Sequence, residues 1–187
     1  MKVCTLLVFV FLLSGCVTNA LHFSPYTSSA ELLAIKNQKN HSNIISVTGD
    51  ERCTRCSERS KVVWHAANHD VGLYEGFANV PVNDWSVFVK QSIGSDVNAG
   101  IKTRVEINRI FVKTWSDPDY YACEANISVY VAEKKYAGHS RVKIKRTGQK
   151  LIRRDLVYLE AEALDAVSLA LKAAYIEAFN KIDEAQR

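Results

Sequence analysis

An α+β fold is predicted: an antiparallel sheet of about four strands with two amphipathic helices packed on one face, in the order β-loop-α-β-β-β-α. Three observations predict it. Trp85, Phe88, Val89, Ile93 and Val97 recur at steps of three or four residues, and so do Leu164, Val167, Leu171, Tyr175, Ala178 and Ile182, two apolar stripes at helical spacing. Between the stripes, three consecutive segments change to a period of two, the signature of half-buried strands. The composition, 48% hydrophobic and 24% charged over 187 residues with only three Pro and eight Gly, is that of one globular domain, not of a disordered, collagenous or coiled-coil chain. Two helical stripes must be buried, and a sheet with one dry face is the natural surface for them.

The elements follow in order. Residues 44–47, Ile-Ile-Ser-Val, form a short strand closed by Gly49-Asp50. Residues 61–65 fit a second short strand or a helical turn. A helix starts at Asn83, whose side chain can accept from free N–H groups, with Asp84 suited to the positive helix end and Gly100 as the stop. Residues 104–115 are β-branched and aromatic, and their alternation slips near Arg109, which predicts a bulge. After the turn at 116–119, Tyr121, Cys123, Ala125, Ile127, Val129 and Val131 alternate with Glu124, Asn126 and Ser128. Glu133-Lys134-Lys135 is a tight connection. Tyr136, Gly138, Ser140, Val142 and Ile144 then alternate with His139, Arg141, Lys143 and Lys145. A long helix over about residues 157–184 carries the second stripe.

The N-terminus carries an address. Lys2 precedes an apolar run over residues 3–13 that is too short to cross a bilayer core of ~30 Å and fits the apolar core of a signal peptide. The run ends in Leu13-Ser14-Gly15-Cys16, which resembles the bacterial lipobox. That resemblance implies cleavage before Cys16, diacylglycerol on its thiol and an acyl chain on its amine. Several chains hold firmly, because each buried CH₂ contributes about 0.8 kcal/mol. Val17 after the lipidated residue, by resemblance to enteric lipoproteins, implies the outer membrane, with the protein on its periplasmic side. The alternative is secretion with cleavage after Thr18-Asn19-Ala20, to which the triplets Asn40-His41-Ser42 and Asn126-Ile127-Ser128 would add glycosylation. The domains expected are a signal peptide (1–15), the lipidated Cys with a flexible, Ser/Thr/Asn/Lys-rich tether that has room for one helical turn around Glu31–Ile35 (16–43), and one α+β periplasmic domain (44–187).

Lipobox, tether, short strand ending at Asp50-Glu51-Arg52, helix, three-strand meander and C-terminal helix together resemble the YajG-type outer-membrane lipoproteins and the auxiliary lipoproteins of envelope ABC transporters and lipopolysaccharide export. The resemblance covers residues 44–184 as a pattern of elements. It implies a non-enzymatic accessory in envelope assembly or transport, with no functional residue to carry over. The Cys-x-x-Cys loop departs from that pattern.

Chemistry concentrates at two places. With Cys4 in the signal peptide and Cys16 lipidated, Cys53, Cys56 and Cys123 remain. An oxidising compartment favours a disulfide between Cys53 and Cys56, a short staple. A redox role would need a helix opening at Cys53 to lower its pKa. Cys53-x2-Cys56-x8-His65-x3-His69 also supplies two thiols and two imidazoles for a structural zinc, if His65 and His69 share a helix face. Zinc and disulfide exclude each other. Cys123 reads as a buried thiol, with pairing to Cys53 or Cys56 as the alternative.

The second place is basic. The formal charge is +4, from 24 Lys+Arg and 20 Asp+Glu, yet residues 134–154 hold nine Lys/Arg and no acid. Arg141, Lys143 and Lys145 fall on one strand face. They are candidates for binding an anionic partner: lipid headgroups, phosphates or an acidic protein surface. The alternative is a solvated strand face whose lysines discourage aggregation. The mild overall charge and the absence of a recognition motif argue against nucleic acid. No G-x-S-x-G, P-loop, dinucleotide fingerprint or H-E-x-x-H occurs, so the expectation is no enzyme and no cofactor beyond the covalent lipid.

Overall fold

The computed structural model describes residues 25–49, 63–68, 74–78, 80, 82–113, 120–145 and 161–185. In chain order these form α1 (Ser29–Asn37), β1 (Ser42–Thr48), β2 (Val63–Asn68), β3 (Tyr74–Ala78), α2 (Trp85–Ile93), β4 (Ile101–Lys113), β5 (Tyr120–Val131), β6 (Lys134–Lys145) and α3 (Ala161–Ala185). The fold is α+β, with one sheet ordered β3-β2-β4-β5-β6 and β1 also paired to β4.

The meander β4-β5-β6 is antiparallel, as its alternation predicts. The rest of the sheet corrects the expectation. Among the described residues there are six strands where about four were expected, and β1 and β2 both pair with β4 in parallel. They lie end to end on one edge of β4: β1 runs against Ile101–Glu106, and β2 against Ile110–Lys113. Parallel neighbours need a crossover, and here it contains α2. β3 pairs antiparallel with β2 and had no counterpart in the sequence reading. Short strands carry too few residues for a period to be visible.

Two backbone devices set the β4 edge. The register slips between Ile107 and Arg109, the bulge that the broken alternation predicts. It changes which residues face inward. Val105 and Ile107 are buried before it, Ile110 and Val112 after it, each at 1% exposure or less. Opposite the bulge β1 ends at Gly49, with φ +87°. A Cβ there would sit 2.2 Å from the Ile107 carbonyl oxygen, so only glycine lets the two backbones approach.

The helices cover one face. Val167, Leu171, Tyr175, Ala178 and Ile182 of α3 are buried on the meander, joined by the dry β5 side chains from Tyr121 to Val129. Small residues bring α3 close to β6. A Cβ on Gly138 would lie 1.9 Å from the Ala174 carbonyl oxygen, and the Ser140 hydroxyl donates to the Ala170 carbonyl at 2.6 Å. The Tyr175 hydroxyl, deep in this layer, meets Ser42 Oγ at 2.5 Å and Thr103 Oγ1 at 2.9 Å, so its burial leaves no orphan. Burial pushes its pKa up, against the two hydroxyls.

The helix expected from Asn83 to Gly100 is shorter. Asp84 is the cap, accepting from the Val87 N–H at 2.9 Å. The left-handed residue that stops it is Gly94, the first glycine after the stripe. Val97 therefore lies beyond the helix and is 76% exposed.

The stretch 25–43, read as part of a flexible tether, is joined to the fold. Ser28 and Glu31 form a reciprocal capping box for α1. Leu32 packs against the core, Lys172 Nζ donates to the Lys36 carbonyl at 2.9 Å, and the Thr27 N–H donates to the Arg141 carbonyl at 2.8 Å. The helical turn that the sequence suggests around Glu31–Ile35 is the nine-residue α1, and its docking was hidden because α1 has no fully buried residue.

Candidate anion-binding face

Cys16, Cys53, Cys56 and His69 lie outside the described residues. β1 leaves β4 with Thr48 opposite Glu106, and β2 joins it with Val63 opposite Ile110. Cys53 and Cys56 fall in the chain between those two points. His65 stands in β2, opposite Val112 of β4 and Ala78 of β3. The zinc reading placed His65 and His69 on one helix face. That premise fails, because Val63–Asn68 is a strand. Residues four apart are helix neighbours at about 5–6 Å, whereas a strand rises about 3.3 Å per residue. Among the described residues no group of three or more His, Cys, Asp or Glu could hold a metal ion.

Cys123 is a free thiol, 1% exposed, on the dry face of β5. Burial first, and Glu124 second, push its pKa far above the ordinary thiol value. Such a thiol is a packing group, not a nucleophile.

The predicted basic residues do come together. β-Pleating sends Gly138, Ser140 and Val142 toward α3, and leaves His139, Arg141, Lys143 and Lys145 on the opposite face of the sheet. The register extends that face across three strands. Arg104, Tyr130 and Lys135 make one row; Phe111, Glu124 and Arg141 another; Tyr120 and Lys145 a third. No helix among the described residues packs there.

The three candidates differ. Arg141 is occupied: its guanidinium lies 4.6 Å from the Tyr26 ring centroid, and its Nε is 3.9 Å from Glu124 Oε2. Its side chain is 11% exposed. Lys143 Nζ stands 4.2 Å above the Tyr120 ring, and Lys145 is exposed. Tyr26, Phe111, Ala122, Cys123, Glu124 and Arg141 line a shallow pocket with room for little more than a water molecule.

Tyr26, Arg104, Glu106, Tyr120 and Tyr130 escaped the sequence reading. Tyr130 lies under Arg104 and Lys135, at 5.4 and 5.6 Å, and hydrogen-bonds Glu106 at 2.5 Å. Tyr130 first, then Glu106 at 3.6 Å, raise the Lys135 ammonium above its ordinary pKa. Tyr120 and Tyr130 were legible in principle, since both share the polar register of β5 with Glu124. Tyr26 was not: it meets a residue 115 positions away.

The β6 edge is separately covered. Lys181 Nζ donates to the Ala137 carbonyl, Glu177 accepts from the His139 N–H, and Thr27 holds Arg141. Arg141 and Lys143 point from the sheet face, not along that edge.

No family model matches this chain, and no curated protein matches it. Among solved structures it is similar to one titled "Crystal structure of uncharacterized protein", at 6% identity, over 79% of this chain and 99% of that chain, with a TM-score of 0.33; likeness that low carries no argument.

Proposed function

We propose that the protein is a membrane-anchored periplasmic lipoprotein, held at the outer membrane through Cys16, that serves envelope assembly or transport as a non-enzymatic accessory by binding protein or lipid. The observation that carries this reading is the pairing of the Leu13-Ser14-Gly15-Cys16 leader with a basic sheet face on which no helix among the described residues packs. The aggregation argument for the lysines is weakened, because side chains from α3 and the backbone of Thr27 already cover the β6 edge. Stability alone does not call for them either, since exposed ion pairs contribute about 0–1 kcal/mol. The candidate contacts are Lys143 and Lys145, with Arg141 as a fixed member held by Tyr26 and Glu124.

The intact mass of the protein extracted from envelopes tests the anchor. A mature chain beginning at Cys16 and carrying acyl mass is expected. A chain beginning at Leu21 without acyl mass would replace the lipoprotein by an ordinary secreted protein. Alkylation in the same experiment reads the thiols: one alkylatable thiol, Cys123 after denaturation, is expected if Cys53 and Cys56 are paired.

A further inference from the structure

The geometry points to an orientation: the basic face of the sheet, with Lys135 and Lys145 exposed at its rim, lies against the anionic headgroups of the bilayer that holds the N-terminal anchor. This deepens the reading above and rests on it. The first observation is where the chain enters the described fold. Tyr26 stacks on Arg141 and Thr27 bonds its carbonyl, so the fold begins at the border of the basic face. Cys16 precedes Tyr26 by ten residues, which span at most about 36 Å. A lipid at Cys16 therefore holds this border within about 36 Å of the bilayer.

The second observation is charge. Arg104, Arg109, Lys135, Arg141, Lys143 and Lys145 share the face with two carboxylates, Glu106 and Glu124. Those carboxylates stand beside Lys135 and beside His139 and Arg141. The opposite layer has the other sign. Among its described side chains, α3 carries Glu162, Asp165, Glu177 and Glu184 against Lys172 and Lys181. A negative surface attracts one side of the molecule and repels the other, which selects one orientation.

The third is chemistry. Tyr120 and Tyr130 stand among the cations with apolar rings and polar tips, a form suited to a headgroup layer. Each cation adds little, and its attraction fades within a Debye length. The anchor makes the encounter intramolecular, so a weak face suffices.

The test uses the full lipidated protein, reconstituted in phosphatidylglycerol-rich vesicles and in pure phosphatidylcholine vesicles. A membrane-impermeant acetylating reagent is added, and each lysine's rate is read by mass spectrometry. Lys143 and Lys145 are expected to react about fivefold more slowly in the anionic vesicles, the factor one favourable cation contact gives. Lys36 and Lys90, in the helix layer, should react equally in both. High salt should restore the rates of Lys143 and Lys145. Equal rates for these two lysines in both vesicles, with acyl mass present on Cys16, would overturn the orientation and leave the lipoprotein reading intact. Absence of acyl mass from the envelope-extracted protein would overturn both.

Discussion

Gly138 shows how one residue sets the spacing of two layers. Its missing Cβ leaves room for the Ala174 carbonyl of α3, and the buried alanines 163, 166, 170, 174 and 178 continue that close approach along the helix. Gly138→Ala must push α3 away from β6 or distort the strand. A destabilisation of about 1–3 kcal/mol is expected, the usual cost of overfilling a packed interface. Denaturant unfolding measures it, and a midpoint equal to wild type would mean that the layers can part at no cost. Arg141 makes a second point at this scale. Its sequence position suggested a free cation for an anionic ligand, but its neighbours are Tyr26 and Glu124. Reversal to Glu would set a carboxylate beside Glu124, so a charge test of the face belongs on Lys143 and Lys145.

Among the elements, α1 is the one whose docking the sequence concealed, since none of its residues is fully buried. Its capping box holds the Glu31 carboxyl below its ordinary value of 4.5, first through the Ser28 hydroxyl and then through the Ser28 N–H. A depressed carboxyl supports the fold above its unfolded pKa and loses that support as pH falls through the folded one. The start of α1 should therefore fray in acid, below about pH 4.5. Ser28→Ala should raise the Glu31 titration midpoint toward the ordinary value and speed amide exchange in the first turn of α1; NMR titration reads both. A midpoint that does not move would show that the box has no energetic effect. β5 is the contrasting case. Its alternation between dry and polar positions was legible, and the observed burial follows it except at Ala122 and Ser128, which are buried on the other face, and at Val131, which is half-buried.

At the scale of the molecule, the fold reaches further toward the N-terminus than the expected domain start at residue 44. A chain cut at residue 44 loses the Tyr26 stack, the Thr27–Arg141 and Lys36–Lys172 bonds, and Ser42, whose hydroxyl meets that of the buried Tyr175. At about 1 kcal/mol per net hydrogen bond and roughly 2–4 °C per kcal/mol, it should melt at least about 5 °C below a chain starting at residue 25. Thermal unfolding of the two chains decides this, and equal melting temperatures would return residues 25–43 to the status of a passive tether. No helix among the described residues is long and apolar enough to cross a membrane.

The sequence by itself determined the α+β class, the meander with its bulge, the stripe of α3 and the shared face of Arg141, Lys143 and Lys145. Each rests on periodicity over many residues or on the pleat of a single strand, which are local properties. Tertiary structure decided the rest. The parallel seating of β1 and β2 on β4 depends on a crossover that no short strand encodes. Of the two readings the sequence left open at His65, pairing with β3 and β4 decided for the strand, which removes the helix face on which the zinc reading depended. The docking of Tyr26 and α1 brings together residues more than a hundred positions apart. Such contacts form because burying Leu32 and stacking a guanidinium are favourable in three dimensions, and no local pattern records them.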